Sequence, residues 1–323
     1  VAVRWQMAEN AMQEAIAGYP GMAVCDTAEN AYQRKRMLAI FDQTVWALTR
    51  QVRAGQFVPE KFEVTFDELE GKESLEYRLS HDVTMRLEGR IDRLDTFEDE
   101  NKISIKVIDY KSGNTKFDLI RVYRGLLILY HGLQLQLVVY MDAAVEMLRG
   151  QHPKKEILPG GILYYHIDDP VLESDTPLSD EEAEQALLFA LRPDGLVNSG
   201  EEIYRAMDQN FEGKSQMIPV EIKKNGEIST ARSKVASTEE FAVITRYVEH
   251  EIRQCGEAIY AGNIAVNPYR SDIETSCTYC PYGSVCGMDA KIPGYEYRQF
   301  ASMKKEEVLD QMQTELARNR GKE

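Results

Sequence analysis

The chain has 323 residues, 43% of them apolar, and a formal net charge of −15, which is enough apolar matter to bury a sizeable core in one large domain or two small ones. That acidity excludes a surface given over wholly to nucleic acid, which needs a local excess of Lys and Arg, and leaves room for acidic metal ligands. The longest apolar stretch, Gly125 to Met141, is broken by His131, Gln134 and Gln136, short of the roughly 18-residue run of a membrane span, so a cytoplasmic protein without membrane contact is expected.

At the front, Val1-Ala2-Val3-Arg4 carries neither an initiator Met nor a signal-peptide pattern, which reads as a fragment of a longer chain. Residues 4–17 and 28–54 predict helices, the second with Tyr32, Leu38, Phe41, Val45, Leu48 and Val52 spaced for one apolar stripe. From Lys61 the period changes to two, with Phe62, Val64 and Phe66 alternating with Glu63, Thr65 and Asp67. Strands are expected at 75–79, 83–96 and 103–111, a long helical stretch at 120–149 and an apolar strand at Gly161–Ile167. Beyond Pro170 come helices at 179–191 and 200–208, a hairpin turn at Asn225-Gly226, a long helix at 238–262, a cysteine-bearing loop and a charged, fraying helix at 303–320. The order gives an α/β fold with a mixed sheet. Its parts are a helical segment (1–57), a core (58–170), a mainly helical insertion (171–237) and a tail region (238–323), with no internal repeat and no low-complexity linker.

Two segments carry the chemistry. Gly89-Arg90-Ile91-Asp92-Arg93 and Ile108-Asp109-Tyr110-Lys111-Ser112 are separated by a polar run, Glu98 to Lys102. A turn centred between Glu100 and Asn101 sets Asp92 opposite Asp109 in an antiparallel hairpin. On the second strand Ile103, Ile105 and Val107 share a face that continues into Asp109 and Lys111, so a core face ends in two charged groups. Charged groups in such a place pair, bind a metal or line a site. An ordinary surface salt bridge explains an isolated Asp-x-Lys; the upstream Gly-x-x-Asp at hairpin distance favours a site. Asp92, Asp109 and the backbone carbonyl of Tyr110 make a partial oxygen shell for Mg2+, with Mn2+ as a substitute. Lys111 is placed to orient or deprotonate an attacking water, or to offset charge on phosphate oxygens. Glu88 shares the parity of Asp92, which would let it add to the site, but an exposed strand residue is the preferred reading for it.

These motifs resemble the nuclease core of the PD-(D/E)xK superfamily in its RecB-like branch, and Gln136-Leu137-Val138-Val139-Tyr140 is similar to the Gln-x-x-x-Tyr motif of that branch. A spacing of four sets Gln136 and Tyr140 on one helix face. The resemblance implies a restriction-endonuclease-like mixed sheet flanked by helices and a Mg2+-dependent deoxyribonuclease with Asp92, Asp109, Lys111, Gln136 and Tyr140 in its catalytic site. Such nucleases often carry a further acidic residue or His on a preceding helix, and Val1 to Phe57 offers no convincing counterpart.

Cys277, Cys280 and Cys286 form C-x2-C-x5-C around Pro281 and Gly283, a spacing suited to a cluster-binding loop in a reducing compartment. A zinc site would want a second close pair or a nearby His; chance spacing of structural cysteines is the plain alternative. Here, and in Leu158 to Pro170, the chain resembles AddB-type subunits, in which three such cysteines and a distant fourth hold a [4Fe-4S] cluster. Neither Cys25 nor Cys255 matches the fourth, so that ligand is expected before Val1 and the cluster is expected to be incomplete or absent in this fragment. The likeness further implies DNA as substrate, an AddA-type helicase-nuclease subunit as partner in a heterodimer, and exonucleolytic cutting of single strands during double-strand break processing. No G-x-x-x-x-G-K-[ST] occurs. The rival reading is a catalytically silent DNA-binding or assembly module with a structural metal-cluster site.

Overall fold

The computed structural model describes residues 2–18, 27–66, 76–112, 129–130, 134–270, 275–278, 280–299 and 303–319. Two helices open the chain, α1 (Ala2–Ala17) and α2 (Ala28–Ala54). Thr27 starts the second by accepting the Asn30 N–H on its hydroxyl, satisfying one of the helix's free donors. The strands β1 (Val58–Thr65), β2 (Glu76–Arg78), β3 (Thr84–Arg86), β4 (Arg90–Glu98) and β5 (Lys102–Ser112) follow. Helix α3 (Gln136–Gln151) leads to β6 (Glu156–Ile167), then α4 (Asp180–Ala190), β7 (Asp194–Asn198), α5 (Glu201–Met207), β8 (Val235–Ala236) and the long α6 (Thr238–Tyr260). The tail holds β9 (Tyr269–Arg270), α7 (Gly283–Cys286), β10 (Arg298–Gln299) and α8 (Lys305–Asn319).

The main sheet has the order β1-β4-β5-β6-β7-β8. β4 runs antiparallel to both β1 and β5, β5 and β6 are parallel, and β7 is antiparallel to β6 and parallel to β8. Parallel neighbours need a crossover, and α3 lies on it, on one face of the sheet. Alternation along β5 then divides the core. Ile103, Ile105 and Val107 pack with Leu137, Met141, Ala144 and Leu148 of α3 and with Ile244 and Tyr247 of α6, while Ile108 faces Phe57, Leu163, Tyr165, Tyr204 and Met207 on the other side.

Three expectations need correction. The 171–237 segment, read as a mainly helical insertion, supplies β7 and β8 to the main sheet; these strands are short, and their partners are remote in sequence. The charged final helix does not fray: Val308 and Met312 are fully buried and Leu309 nearly so, packed into the α3–α6 core. The apolar stripe expected on α2 is at most half-buried: Tyr32 and Phe41 are exposed, Leu38, Val45, Leu48 and Val52 are half-buried, and the residues that the helix buries are Thr44 and Ala47, while Arg4 of α1 pairs with Asp42. Of the helical stretch expected at 120–149, residues 120–128 and 131–133 lie outside the described residues, and α3 begins at Gln136. The Asn225-Gly226 turn is present, with Gly226 at φ 86° and its N–H on the Lys223 carbonyl. Among the described residues no helix is long and apolar enough to cross a membrane.

Candidate nuclease site

The β4–β5 hairpin is tied at its turn by Asp99, whose carboxylate accepts the N–H groups of Asn101 and Lys102 at 2.8 and 2.7 Å. From there the register runs Glu98 with Ile103 up to Arg93 with Ile108. The paired ladder ends there, and beyond it Asp92 Oδ2 accepts the Tyr110 backbone N–H at 2.8 Å, next to Asp109 in the chain. The turn chemistry therefore sets the two aspartates side by side, with the Tyr110 peptide between them.

Asp109 lies on the α3 face and is 3% exposed. Lys111, two residues on and on the same face, places its Nζ 2.6 Å from Asp109 Oδ2 and donates to Gln136 Oε1 at 3.2 Å. Gln136 Nε2 in turn donates to the Tyr140 hydroxyl at 2.6 Å. Helix α3 thus reaches back to the strand through a Tyr–Gln–Lys relay, and Lys111, Gln136, Tyr140 and Asp109 form one connected group. The Lys111 ammonium also sits 5.3 Å from the centre of the Tyr164 ring, within cation–π range. Burial pushes the Asp109 carboxyl above its ordinary range; Lys111 pulls it down and Asp92 adds to the upward push.

Asp109 Oδ2 is buried and has no directed hydrogen bond; the Lys111 ammonium beside it is an ion-pair neighbour rather than an aligned donor. A buried carboxylate oxygen with spare lone pairs, next to a second carboxylate, fits a hard divalent cation. Among the described residues no group of three His, Cys, Asp or Glu side chains could hold a metal ion. The protein's own contribution is therefore two carboxylates plus backbone, which suits an ion such as Mg2+ that keeps several waters. Tyr110 offers only its backbone to this side: its phenol turns to the opposite face, 3.4 Å from Arg93 Nη1 and edge-on to Tyr165.

Two neighbours carry no motif in the sequence. Tyr164 pairs with Asp109 in the β5–β6 register, and nothing in its apolar strand marks it. Phe66 packs edge-on to Tyr140, with ring centres 5.6 Å apart. Gly89, the first residue of the Gly-x-x-Asp motif, serves Phe66: a Cβ there would stand 2.8 Å from Phe66 Cε2. Glu88 is exposed, in the link between β3 and β4. On the opposite face lies a separate charged group. Arg93 donates twice to Asp95, at 2.6 and 2.7 Å, and Lys106 Nζ is 2.9 Å from the same carboxylate; Asp95 is fully buried.

The cysteine loop is less complete. The Cys280 N–H reaches the Cys277 carbonyl at 3.3 Å and the Cys286 N–H reaches the Tyr282 carbonyl at 2.8 Å, while Gly287 ends α7 at φ 64°. The three cysteines form no disulfide and, among the described residues, are not drawn together as a ligand set. Cys25 lies outside the described residues, and Cys255 is exposed on α6.

Comparison with known proteins agrees with the fold. The chain is similar to the B-type subunit of the ATP-dependent helicase/deoxyribonuclease of Lachnoclostridium phytofermentans, with 36% identity over 97% of this chain and 26% of that protein. It is similar to the protein of the same name from Thermoanaerobacter sp., with 36% identity over 88% of this chain and 24% of the relative. The Clostridium botulinum counterpart is 35% identical over the same two shares. The chain thus spans about a quarter of the length of the curated relatives it matches. The family model described as the PD-(D/E)XK nuclease superfamily matches residues 2–287, from α1 to the end of the cysteine loop. A match of that extent, over the sheet that sets the two aspartates side by side, means that the chain belongs to the PD-(D/E)XK nuclease superfamily.

Proposed function

We propose that this chain is a Mg2+-dependent deoxyribonuclease domain, with Mn2+ able to substitute, that hydrolyses phosphodiester bonds of single-stranded DNA. The observation that carries the reading is the Lys111 ammonium, held 2.6 Å from the buried Asp109 carboxylate and tied to α3 through Gln136 and Tyr140. A lysine used only for stability has no need of that relay. Asp92 and Asp109, with the Tyr110 carbonyl, would hold the divalent ion, which when bound polarises the phosphoryl group and lowers the pKa of water. Lys111 orients the attacking water or offsets charge growing on the phosphate oxygens, and Gln136 fixes the ammonium for that task. Relatives named as subunits of a helicase/deoxyribonuclease support a setting in a larger assembly. There the domain would pair with an AddA-type helicase-nuclease subunit and act as an exonuclease on unwound strands during double-strand break repair.

The deciding experiment is cleavage of labelled single-stranded DNA in Mg2+ by the wild type and by Lys111→Ala. We expect a loss of about 10²–10³-fold, the usual scale for removing a charge-stabilising group. Equal rates in the two proteins, or no cleavage by a folded wild type, would leave the silent DNA-binding or assembly module as the better reading. Cys277, Cys280 and Cys286 are proposed to give three ligands to a [4Fe-4S] cluster that a fourth, more distant ligand would complete, and no step of the hydrolysis depends on it. Iron and sulfide analysis after purification without air tests this, and absence of both from a chain carrying all four ligands would end it.

A further inference from the structure

The break in pattern that marks Lys111 occurs a second time on the neighbouring strand. β6 runs parallel to β5 with Asp109 beside Tyr164, Tyr110 beside Tyr165 and Lys111 beside His166. Alternation assigns the sides: Tyr164 lies in the core cluster against α3 and Tyr165 in the opposite one, so His166 returns to the α3 face. That is the face on which Lys111 meets Gln136. Neighbouring strands lie about 4.8 Å apart, so His166 leaves the backbone one strand from Lys111, at the same level. Both apolar faces end together, one in Lys111 and the other in His166.

His166 is half-buried, while Ile167, Asp168 and Asp169 beyond it are exposed. The acidic group that follows is engaged elsewhere in part, Asp169 lying 3.9 Å from Arg36. Among the described residues His166 has no hydrogen bond, ion pair or ring contact. A partly desolvated imidazole without a partner is a costly choice for a strand end that Val or Thr would fill. It is a fitting one where an acceptor arrives with a ligand.

We propose that His166 is a further DNA-contacting residue of this site, donating a ring N–H to a non-bridging phosphate oxygen of the strand held beside Lys111. The proposal rests on the nuclease reading for its ligand, the DNA phosphodiester, but not for its test, because binding is read without cleavage. Either ring nitrogen serves, since each tautomer keeps one N–H. Together with Lys111 the imidazole would grip one phosphate from two adjacent strands, which adds direction to a point charge.

The test compares the wild type with His166→Asn, which retains an N–H donor, and His166→Phe, which retains the bulk. Fluorescence anisotropy with a labelled single-stranded oligonucleotide in EDTA reads binding; Mg2+-dependent cleavage is read separately. Loss of a hydrogen bond to a charged group should weaken binding by His166→Phe about tenfold or more, with His166→Asn losing distinctly less and both keeping the wild-type melting temperature. Wild-type affinity in His166→Phe, equal losses in the two variants, or no binding by the wild type would overturn the proposal. Should His166→Phe fail to fold, His166→Ala takes its place under the same criteria. An affinity loss on substitution in a protein whose wild type never cleaves would sustain the contact and sink the nuclease reading, so the two fail separately.

Discussion

Gly89 is the residue at which a single methyl group tests the site's construction. Its missing side chain leaves room for the Phe66 ring, whose Cε2 and Cζ would lie 2.8 and 2.9 Å from an added Cβ. That ring packs edge-on to Tyr140, and Tyr140 holds Gln136 against Lys111. Gly89→Ala should therefore destabilise the fold by about 1–3 kcal/mol through overpacking, and lower cleavage by displacing Tyr140. Urea unfolding of Gly89→Ala, alone and with Phe66→Leu, checks the cause. The penalty should shrink in the Leu background, and additivity within about 0.5 kcal/mol would show that the ring is not what the methyl strikes. The motif is readable from the sequence as Gly-x-x-Asp, but the reason for its glycine is not, because Phe66 belongs to a different strand region.

At the level of elements, the β4–β5 hairpin carries chemistry on one face and a buried ion group on the other. The local turn makes its register legible: Asp99 and the polar residues around it leave one good way to close the hairpin. Arg93, Asp95 and Lys106 are legible as charges on strands, yet their convergence on the face opposite α3 depends on contacts between strands that no local pattern announces. Asp95→Asn would leave two buried cations with a neutral partner and should cost about 3–5 kcal/mol, measured by chemical denaturation. Burial alone would raise the Asp95 carboxyl, but Lys106 and Arg93 outweigh it and hold it below its ordinary 3.8. A depressed folded value stabilises the protein above the unfolded pKa, and that contribution is lost as pH falls through the folded one. The wild type should lose stability below about pH 4, and Asp95→Asn should show a shallower slope there. The final helix makes the complementary point. Its many charges read as a fraying tail, but Val308 and Met312 are fully buried, and Glu315 accepts the Tyr130 and Tyr247 hydroxyls at 2.6 and 3.1 Å. Met312→Ala should cost about 2–5 kcal/mol, whereas a frayed helix would show no measurable change in the urea midpoint.

For the whole molecule, the sheet's near half is predictable and its far half is not. β1, β4 and β5 follow from period-two patterning and a hairpin and β6 from an apolar run, whereas β7 and β8 are five and two residues long and depend on pairing with β6 and each other and on burial in the core. The same long-range assembly links the metal reading to global stability. Two carboxylates side by side, one of them buried and pushed upward by burial and by its neighbour, oppose folding until a cation offsets them. An ion bound by the native state alone stabilises it by RT ln(1 + [L]/Kd), about 1.4 kcal/mol at ten times Kd. Mg2+ or Mn2+ at saturating concentration should therefore raise the melting temperature of the wild type, and do so in step with its concentration. Asp92→Ala and Asp109→Ala should each abolish the rise, while Lys111→Ala, which removes a cation rather than a ligand, should retain it. A rise that survives in both aspartate variants would place the ion elsewhere. If Lys111→Ala lost the rise as well, the ammonium would be part of what holds the carboxylates in place, not a separate group acting on the substrate.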